Sequence, residues 1–330
     1  MASRRYRLMM PVNDSTPDHI DGVRDHQLAN WLRSIRRDSG PSNRETGADL
    51  LRSASQARGK LRPHGPELLE VRDVTIDDGL RARLYRPTAE PKPAVLYLHG
   101  GGFVMGDLDS HDAICRRLAR TADTTVLALA YRLAPEHPAP AAVDDAVAAA
   151  LWLQQNLAHL GADVDGGVAL AGDSAGGALA VLAAVRLHAM GQTPSCLLLA
   201  YPNTDMTLSQ PSVDEKGHGW GLDVDDMRWF IEQWVPQADQ RGTAAVSPLF
   251  STLSGLPPTL LATAEHDLLH DEGIALVARL RAQGVTTHHV DYPGLVHGFL
   301  GLGHLSSTAA EASTNLFERF RHLTRRSRDS

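Results

Sequence analysis

GGVALAGDSAGGALAVLAAVRLH, running from Gly166 to His188, is the stretch whose reading decides the fold. Val168–Ala171 is a short apolar run of the kind that forms a buried strand, and Ala178–Leu187 is an Ala/Leu/Val run long enough for a buried helix. Between them Gly172, Asp173, Ser174, Ala175, Gly176 and Gly177 spell G-x-S-x-G with one further glycine. A chain that bends this sharply from strand into helix strains the residue at the bend, and side chains beside it would collide with the neighbouring strand and helix. The turn lifts the Ser174 hydroxyl clear of the sheet and sets it at a helix N-terminus, where unpaired N–H groups favour developing negative charge. The five residues alone could be a glycine-rich turn with an incidental serine. The strand before and the helix after favour a nucleophile.

Composition bounds what surrounds this turn. The 330 residues are 43% hydrophobic and 22% charged, which suits one α/β core with an attached lid as well as two domains. A formal charge of −7 without basic runs argues against nucleic acid as a partner. Cys115 and Cys196 both lie in apolar segments, so buried free thiols are expected rather than a disulfide framework. No apolar run has the length of a membrane span. Arg4 and Arg5 suggest a twin-arginine signal, but the run after them, Leu8–Val12, is broken by Pro11, and a cytoplasmic protein is expected.

Up to about Arg62 the pattern is helical. Ile20, Val23, Leu28, Trp31, Leu32 and Ile35 fall mostly on one side of a helix, and a second, shorter helix is expected over Ala48–Ala57. Two helices without a core of their own must pack on something else, and a lid over a pocket is the natural place. Val71–Ile76 and Leu80–Tyr85 alternate on either side of Asp77-Asp78-Gly79, a strong hairpin signal. The apolar strand Ala94–Leu98 then runs into His99-Gly100-Gly101-Gly102-Phe103. Three glycines leave backbone N–H groups unobstructed, as an oxyanion hole requires. A phosphate cradle is disfavoured, because neither G-x-x-x-x-G-K-[ST] nor a helix-opening G-x-G-x-x-G is present.

Further strands are expected over Thr124–Ala130, Cys196–Ala200, Thr259–Ala264 and Val285–Asp291, with helices over Asp109–Thr121, Ala141–Leu160, Asp271–Gln283 and Ala309–Thr324. The last residues, RRSRDS, read as a frayed end. Residues 201–242 break the strand–helix rhythm with a polar loop and a helix near Asp225–Val235 carrying Met227, Trp229, Phe230 and Trp234. Aromatics placed between two sheet strands in this way suggest the second half of a lid lining an apolar pocket.

HGGGF upstream of GDSAGG resembles the hormone-sensitive-lipase-like esterases, bacterial family IV, of the α/β-hydrolase fold. The resemblance runs from about Leu80 to the C-terminus and includes, in order, GDLDSHD (106–112), YRLAPEHPAPAAVDD (131–145), SPL (247–249), HDLLHDEG (266–273) and YPGLVHGF (292–299). It implies a mostly parallel eight-stranded sheet with helices on both faces and a helical cap. Residues 1–62 and 203–242 would form that cap, and residues 63–202 and 243–330 the hydrolase core. Within YRLAPEHP the resemblance implies support for the oxyanion loop, and an Arg132–Glu136 pair in a rigid loop is the expected scaffold.

A serine hydroxyl needs a base, and the base needs an orienting acid. Chain order in this fold is Ser, acid, His, each after a strand. Among sixteen histidines, His297 combines a glycine-flanked loop with a position after the last strand, whereas His64, His159 and His188 are expected on the surface. His288 and His289 sit inside the last strand. For the acid, Asp267, Asp271 and Glu265 compete; Asp271 is expected to cap the following helix. The family pattern D-P-L-x-D-E-G matches from Asp267, with Leu268 in place of the proline.

The resulting expectation is acyl transfer by Ser174, His297 and Asp267, with Gly101, Gly102 and Ala175 holding the oxyanion and no metal or cofactor. The partner is a small-molecule ester, short- to medium-chain and uncharged by family resemblance; a homodimer stays open. An amidase or deacetylase would use the same groups, and a hydrolase-fold receptor would lack the catalytic histidine.

Overall fold

The computed structural model describes residue 20, residues 22–37 and residues 40–326. The Arg4–Val12 segment and the end of the RRSRDS tail lie outside the described residues. Eight strands form one sheet in the order β1-β2-β4-β3-β5-β6-β7-β8. Their bounds are Glu70–Thr75, Arg81–Arg86, Ala94–Leu98, Thr125–Ala130, Val168–Asp173, Leu197–Ala200, Thr259–His266 and Thr287–Val296 for β1 to β8. β1 and β2 form the expected antiparallel hairpin, β2 pairs antiparallel with β4, and every other pairing is parallel.

The central strands are apolar throughout because both faces are covered. On one face Leu96, Leu98, Leu127, Leu170, Leu197 and Leu261 pack against α5 (Ala141–Gln155), α6 (Ala175–Ala189) and α9 (His270–Ala282). Their strand neighbours Val95, Tyr97, Val126, Ala169 and Leu198 face α4 (Asp112–Ala122) and α10 (Ser307–Arg326). Period-two alternation in the strands thus divides the core into two layers.

The N-terminal part holds α1 (His26–Arg37), α2 (Asn43–Thr46) and α3 (Ala48–Leu61). Leu28 and Leu32 of α1 belong to the α4/α10 layer, and Asp25 accepts hydrogen bonds from Ser306 Oγ and the Thr308 N–H where α10 begins. Between β6 and β7 lie α7 (Ser212–Glu215) and α8 (Val224–Trp234), and α8 joins the opposite layer. Cys115 and Cys196 are free and buried.

Several boundaries differ from the sequence reading, those of α4, α5 and β8 among them. The α4 helix starts at Asp112 because Asp107 and Ser110 close a turn ahead of it: the Ser110 N–H donates to Asp107 Oδ1 at 2.7 Å. The α5 helix ends at Gln155 and the chain continues in turns. The β8 strand passes through Pro293-Gly294 to Val296, pairing with β7 across a bulge at Ala264/His266, while the Gly294 N–H donates to Glu265 Oε2 at 2.7 Å. A bulge absorbs the proline, which a sequence pattern registers only as a break.

Candidate active site

The segments that follow the C-terminal ends of β3, β5, β7 and β8, on one edge of the sheet, carry His99–Gly102, Ser174, Asp267 and His297. Ser174 stands between β5 and α6 with φ 53° and ψ −121°, outside the ordinary basins for a residue with a side chain. The bend survives because its flanks are glycine. A Cβ on Gly176 would lie 1.9 Å from the Leu98 carbonyl oxygen, so α6 packs directly on the β3 backbone only without one.

The three side chains predicted to converge do so. His297 Nε2 lies 2.9 Å from Ser174 Oγ, and His297 Nδ1 lies 2.8 Å from Asp267 Oδ2. The other Asp267 oxygen accepts the Leu269 N–H at 2.9 Å, and the side chain is wholly buried. Both carboxylate oxygens are therefore held, and one of them faces the imidazole. The Tyr201 ring meets the His297 ring edge-on at 4.9 Å, fixing its plane from the side. The competing acids are occupied elsewhere. Glu265 takes the Gly294 N–H, and Asp271 accepts the Ser212 N–H at 3.0 Å rather than capping α9. That correction has a simple cause: Asp271 is already inside the first turn of α9, with its carboxylate turned toward α7.

Gly101 and Gly102 bring their backbone past Ser174. Gly101 has φ 128°, and a Cβ there would lie 2.1 Å from the Met105 carbonyl oxygen. Among the described residues, the N–H groups of Gly101, Gly102 and Ala175 donate to no protein acceptor, and Ala175 opens α6 where intrahelical acceptors are lacking. Behind the glycines lies a buried polar cluster. Asp173 Oδ1 accepts the Tyr97 hydroxyl at 2.7 Å and the Gly100 N–H at 3.0 Å, and His111 Nε2 is 3.6 Å away. Burial acts to raise the Asp173 pKa, but His111, Tyr97 and the Gly100 N–H together hold it below the usual carboxylate value. His99 stacks on Tyr131 and donates its Nδ1–H to the Gly100 carbonyl at 2.9 Å; burial drops its pKa to about 4.

The YRLAPEHP loop supports the glycine loop, but not through the expected pair. Arg132 binds Asp145, with Nη2 to Oδ1 at 2.6 Å, and Glu136 binds Arg52 of α3. Arg52 also donates to the Val104 and Ala134 carbonyls, both at 2.8 Å, and the Ala134 N–H donates to the Phe103 carbonyl. Arg132 and Glu136 are near in sequence but reach different long-range partners. Arg52 had no local signal, since its partners are distant along the chain. His111 and Tyr97 were similarly unread, although His111 lies in the GDLDSHD motif.

A cavity of about 300 Å³ opens over Ser174 and His297. Met105, Leu222, Met227 and Phe230 give it an apolar side, with the Phe230 ring directly on Gly102. Of the other aromatics on α8, Trp234 stacks on Phe103 at 3.8 Å and Trp229 is buried beside Phe230, so both serve the core instead. Trp31 from α1 and Ser55, Arg58 and Arg62 at α3 complete the wall. No helix among the described residues is long and apolar enough to cross a membrane.

Comparison with known proteins follows the same lines. Residues 95–301 match the family model for the alpha/beta hydrolase fold. The carboxylic ester hydrolase LipN of Mycobacterium tuberculosis is 39% identical over 321 residues, covering 93% of this chain and 85% of that protein. The ethyl acetate hydrolase of Pseudomonas putida is 38% identical over 262 residues, covering 77% of this chain and 82% of its own length. A hyperthermophilic esterase from the archaeon Pyrobaculum calidifontis superposes with a TM-score of 0.81 at 36% identity, covering 89% of this chain and 97% of that one. With these matches, the chain belongs to the alpha/beta-hydrolase fold family, in its hormone-sensitive-lipase-like branch.

Proposed function

We propose that this hydrolase is a serine carboxylesterase for short- to medium-chain esters, with Ser174 as nucleophile, His297 as general base and acid, and Asp267 as its orienting carboxylate. The observation that carries the reading is the continuous line from Ser174 Oγ to His297 at 2.9 Å and from His297 to Asp267 at 2.8 Å. Ser174 Oγ attacks the ester carbonyl carbon as its proton passes to His297 Nε2. The N–H groups of Gly101, Gly102 and Ala175 receive the oxyanion, each contributing about 3 kcal/mol to the transition state. His297 hands the proton to the leaving alkoxide. Water then attacks the acyl-enzyme, losing its proton to His297, which returns it to Ser174 Oγ as the carboxylic acid product leaves.

The names of the relatives support esters over amides, and a cavity of about 300 Å³ supports small acyl groups. The N-terminal helices and residues 203–242 act as the cap in this reading; Trp31, Arg58, Met227 and Phe230 on the cavity wall support it. Two buried free cysteines suit a cytoplasmic setting.

The test is turnover of p-nitrophenyl butyrate, with Ser174→Ala reduced to the buffer rate and an organophosphate adduct found by intact mass on the wild type alone. A wild-type protein inert toward every activated ester would refute the reading.

A further inference from the structure

Helix α3 does more than roof the cavity. Its register is set by Arg52, which is tied to Glu136 and to the Val104 and Ala134 carbonyls. From that anchor Ser55, Arg58 and the C-cap residue Arg62 follow at spacings of three and four residues, one stripe of the helix, and all three line the cavity over Ser174. The ion pairs of α3 run through Arg52, to Glu136 and Asp49. Arg58 and Arg62 make none among the described residues.

Arg62 makes one long contact, Nη1 to the Ser110 carbonyl at 3.4 Å. Its guanidinium is largely buried, and burial followed by the nearby Arg58 charge pulls its pKa below the ordinary value. Behind it Arg117 adds a further positive charge, which feels that of Arg62. His304 is held low first by burial and then by Arg62 and Arg117, and Arg117 is turned to the Leu300 carbonyl. Among the described residues the cavity wall carries one carboxylate, Asp173; it is hydrogen-bonded by Tyr97 and Gly100, lies beside His111, and acts on Arg62 only as a lesser influence than burial and Arg58. Arg62 and Ser110 also line a second cavity of about 650 Å³ that does not contain Ser174, so the guanidinium stands where the two spaces meet. There Arg83 is neutralised by Asp73 and Asp109, and Arg116 by Asp112.

We infer that Arg58 and Arg62 form an anion subsite beside the reacting serine, and that the preferred substrates are esters bearing a carboxylate on the acyl or the alcohol half. This rests on the esterase reading and narrows its substrate class away from the uncharged esters suggested by the family resemblance. The partly desolvated Arg62 guanidinium, with the exposed Arg58 beside it and no ion pair at either among the described residues, is poised for bidentate, charge-assisted bonds that a methyl terminus does not offer. It leaves the chemistry at Ser174 untouched and acts on which ester is held there.

Matched pairs test it. On the acyl side, 4-nitrophenyl pentanoate is compared with the 4-nitrophenyl hemiester of glutarate. On the alcohol side, propyl acetate is compared with the acetate ester of 3-hydroxypropanoate, followed by pH-stat. Ser174→Ala supplies the blank for spontaneous hydrolysis. In one pair or both, kcat/KM is expected to favour the charged ester by about tenfold or more, and this ratio to fall as sodium chloride is raised. Arg58→Gln/Arg62→Gln should lower the ratio at least tenfold, with Arg62→Lys retaining part of it. The ratio is taken within each variant, so a loss of folded protein cancels, and the wild-type ratio and its salt dependence stand even if a variant fails to fold. Neutral esters preferred in both pairs by the wild type, or an unchanged ratio in the double variant, would overturn the subsite and leave the esterase reading standing. Inertness toward all four esters would overturn both.

Discussion

Asp267→Asn is the sharpest probe of the proposed machinery. The wild-type carboxylate faces His297 Nδ1 at 2.8 Å from a fully buried position, while its other oxygen accepts the Leu269 N–H. Asparagine keeps an oxygen for Leu269, so the turn before α9 should hold. Its NH₂ then points at Nδ1, which must accept, placing the ring proton on Nε2 and leaving nothing to receive the Ser174 proton. The imidazolium formed in the transition state also loses its counter-charge. At the observed 2.8 Å and an effective dielectric of about 20, that attraction is roughly 6 kcal/mol, or about ten-thousand-fold in rate. Because the imidazolium exists only along the reaction path, the loss should fall on kcat with KM little changed. Steady-state hydrolysis of p-nitrophenyl butyrate measures it, beside Glu265→Gln and Asp271→Asn, each expected within about tenfold of wild type because their carboxylates hold the backbones of Gly294 and Ser212. If Asp267→Asn retained more than a tenth of kcat while either control collapsed, the acid would be misassigned.

Two further outcomes follow from the surroundings of the site. Arg52→Ala removes two carbonyl contacts and a pair with half-exposed Glu136; discounting the pair to its surface value leaves a loss of about 2 kcal/mol in unfolding free energy and a several-fold drop in kcat. Unchanged urea midpoint and kcat would show that α3 does not brace the glycine loop. His99 has a native pKa of about 4 against an ordinary 6.5, so above pH 6.5 neither state is charged. Below that the unfolded chain takes the proton first, and stability is lost as pH falls from 6.5 toward 4. Between pH 7 and 4.5 the contribution is about 2.5 kcal/mol, and His99→Asn should flatten the acid limb by that amount in urea titrations at the two pH values. An acid limb identical to wild type would remove His99 as its source.

Much of this protein could be read directly along the chain. Continuous apolar runs marked β3 to β7, because a strand covered on both faces has no polar side to show. The glycines around Ser174 and the strand-then-histidine order of Asp267 and His297 are local features with local causes, so the proposed triad is legible along the chain. The errors arose where two signals competed within a few residues, as at Pro293-Gly294, where pairing to β7 outweighed the break.

What the chain could not show by itself is which charged groups meet. Arg132 and Glu136 are four residues apart, yet Asp145 takes one and Arg52 the other. The helix carrying Arg52 also carries Arg58 and Arg62 to the cavity over Ser174. Periodicity specifies which side of a helix is apolar, but not the distant element it packs on or the register of its polar residues over a pocket. Those depend on the simultaneous packing of segments far apart in sequence, and here they shape the charge of the proposed substrate site.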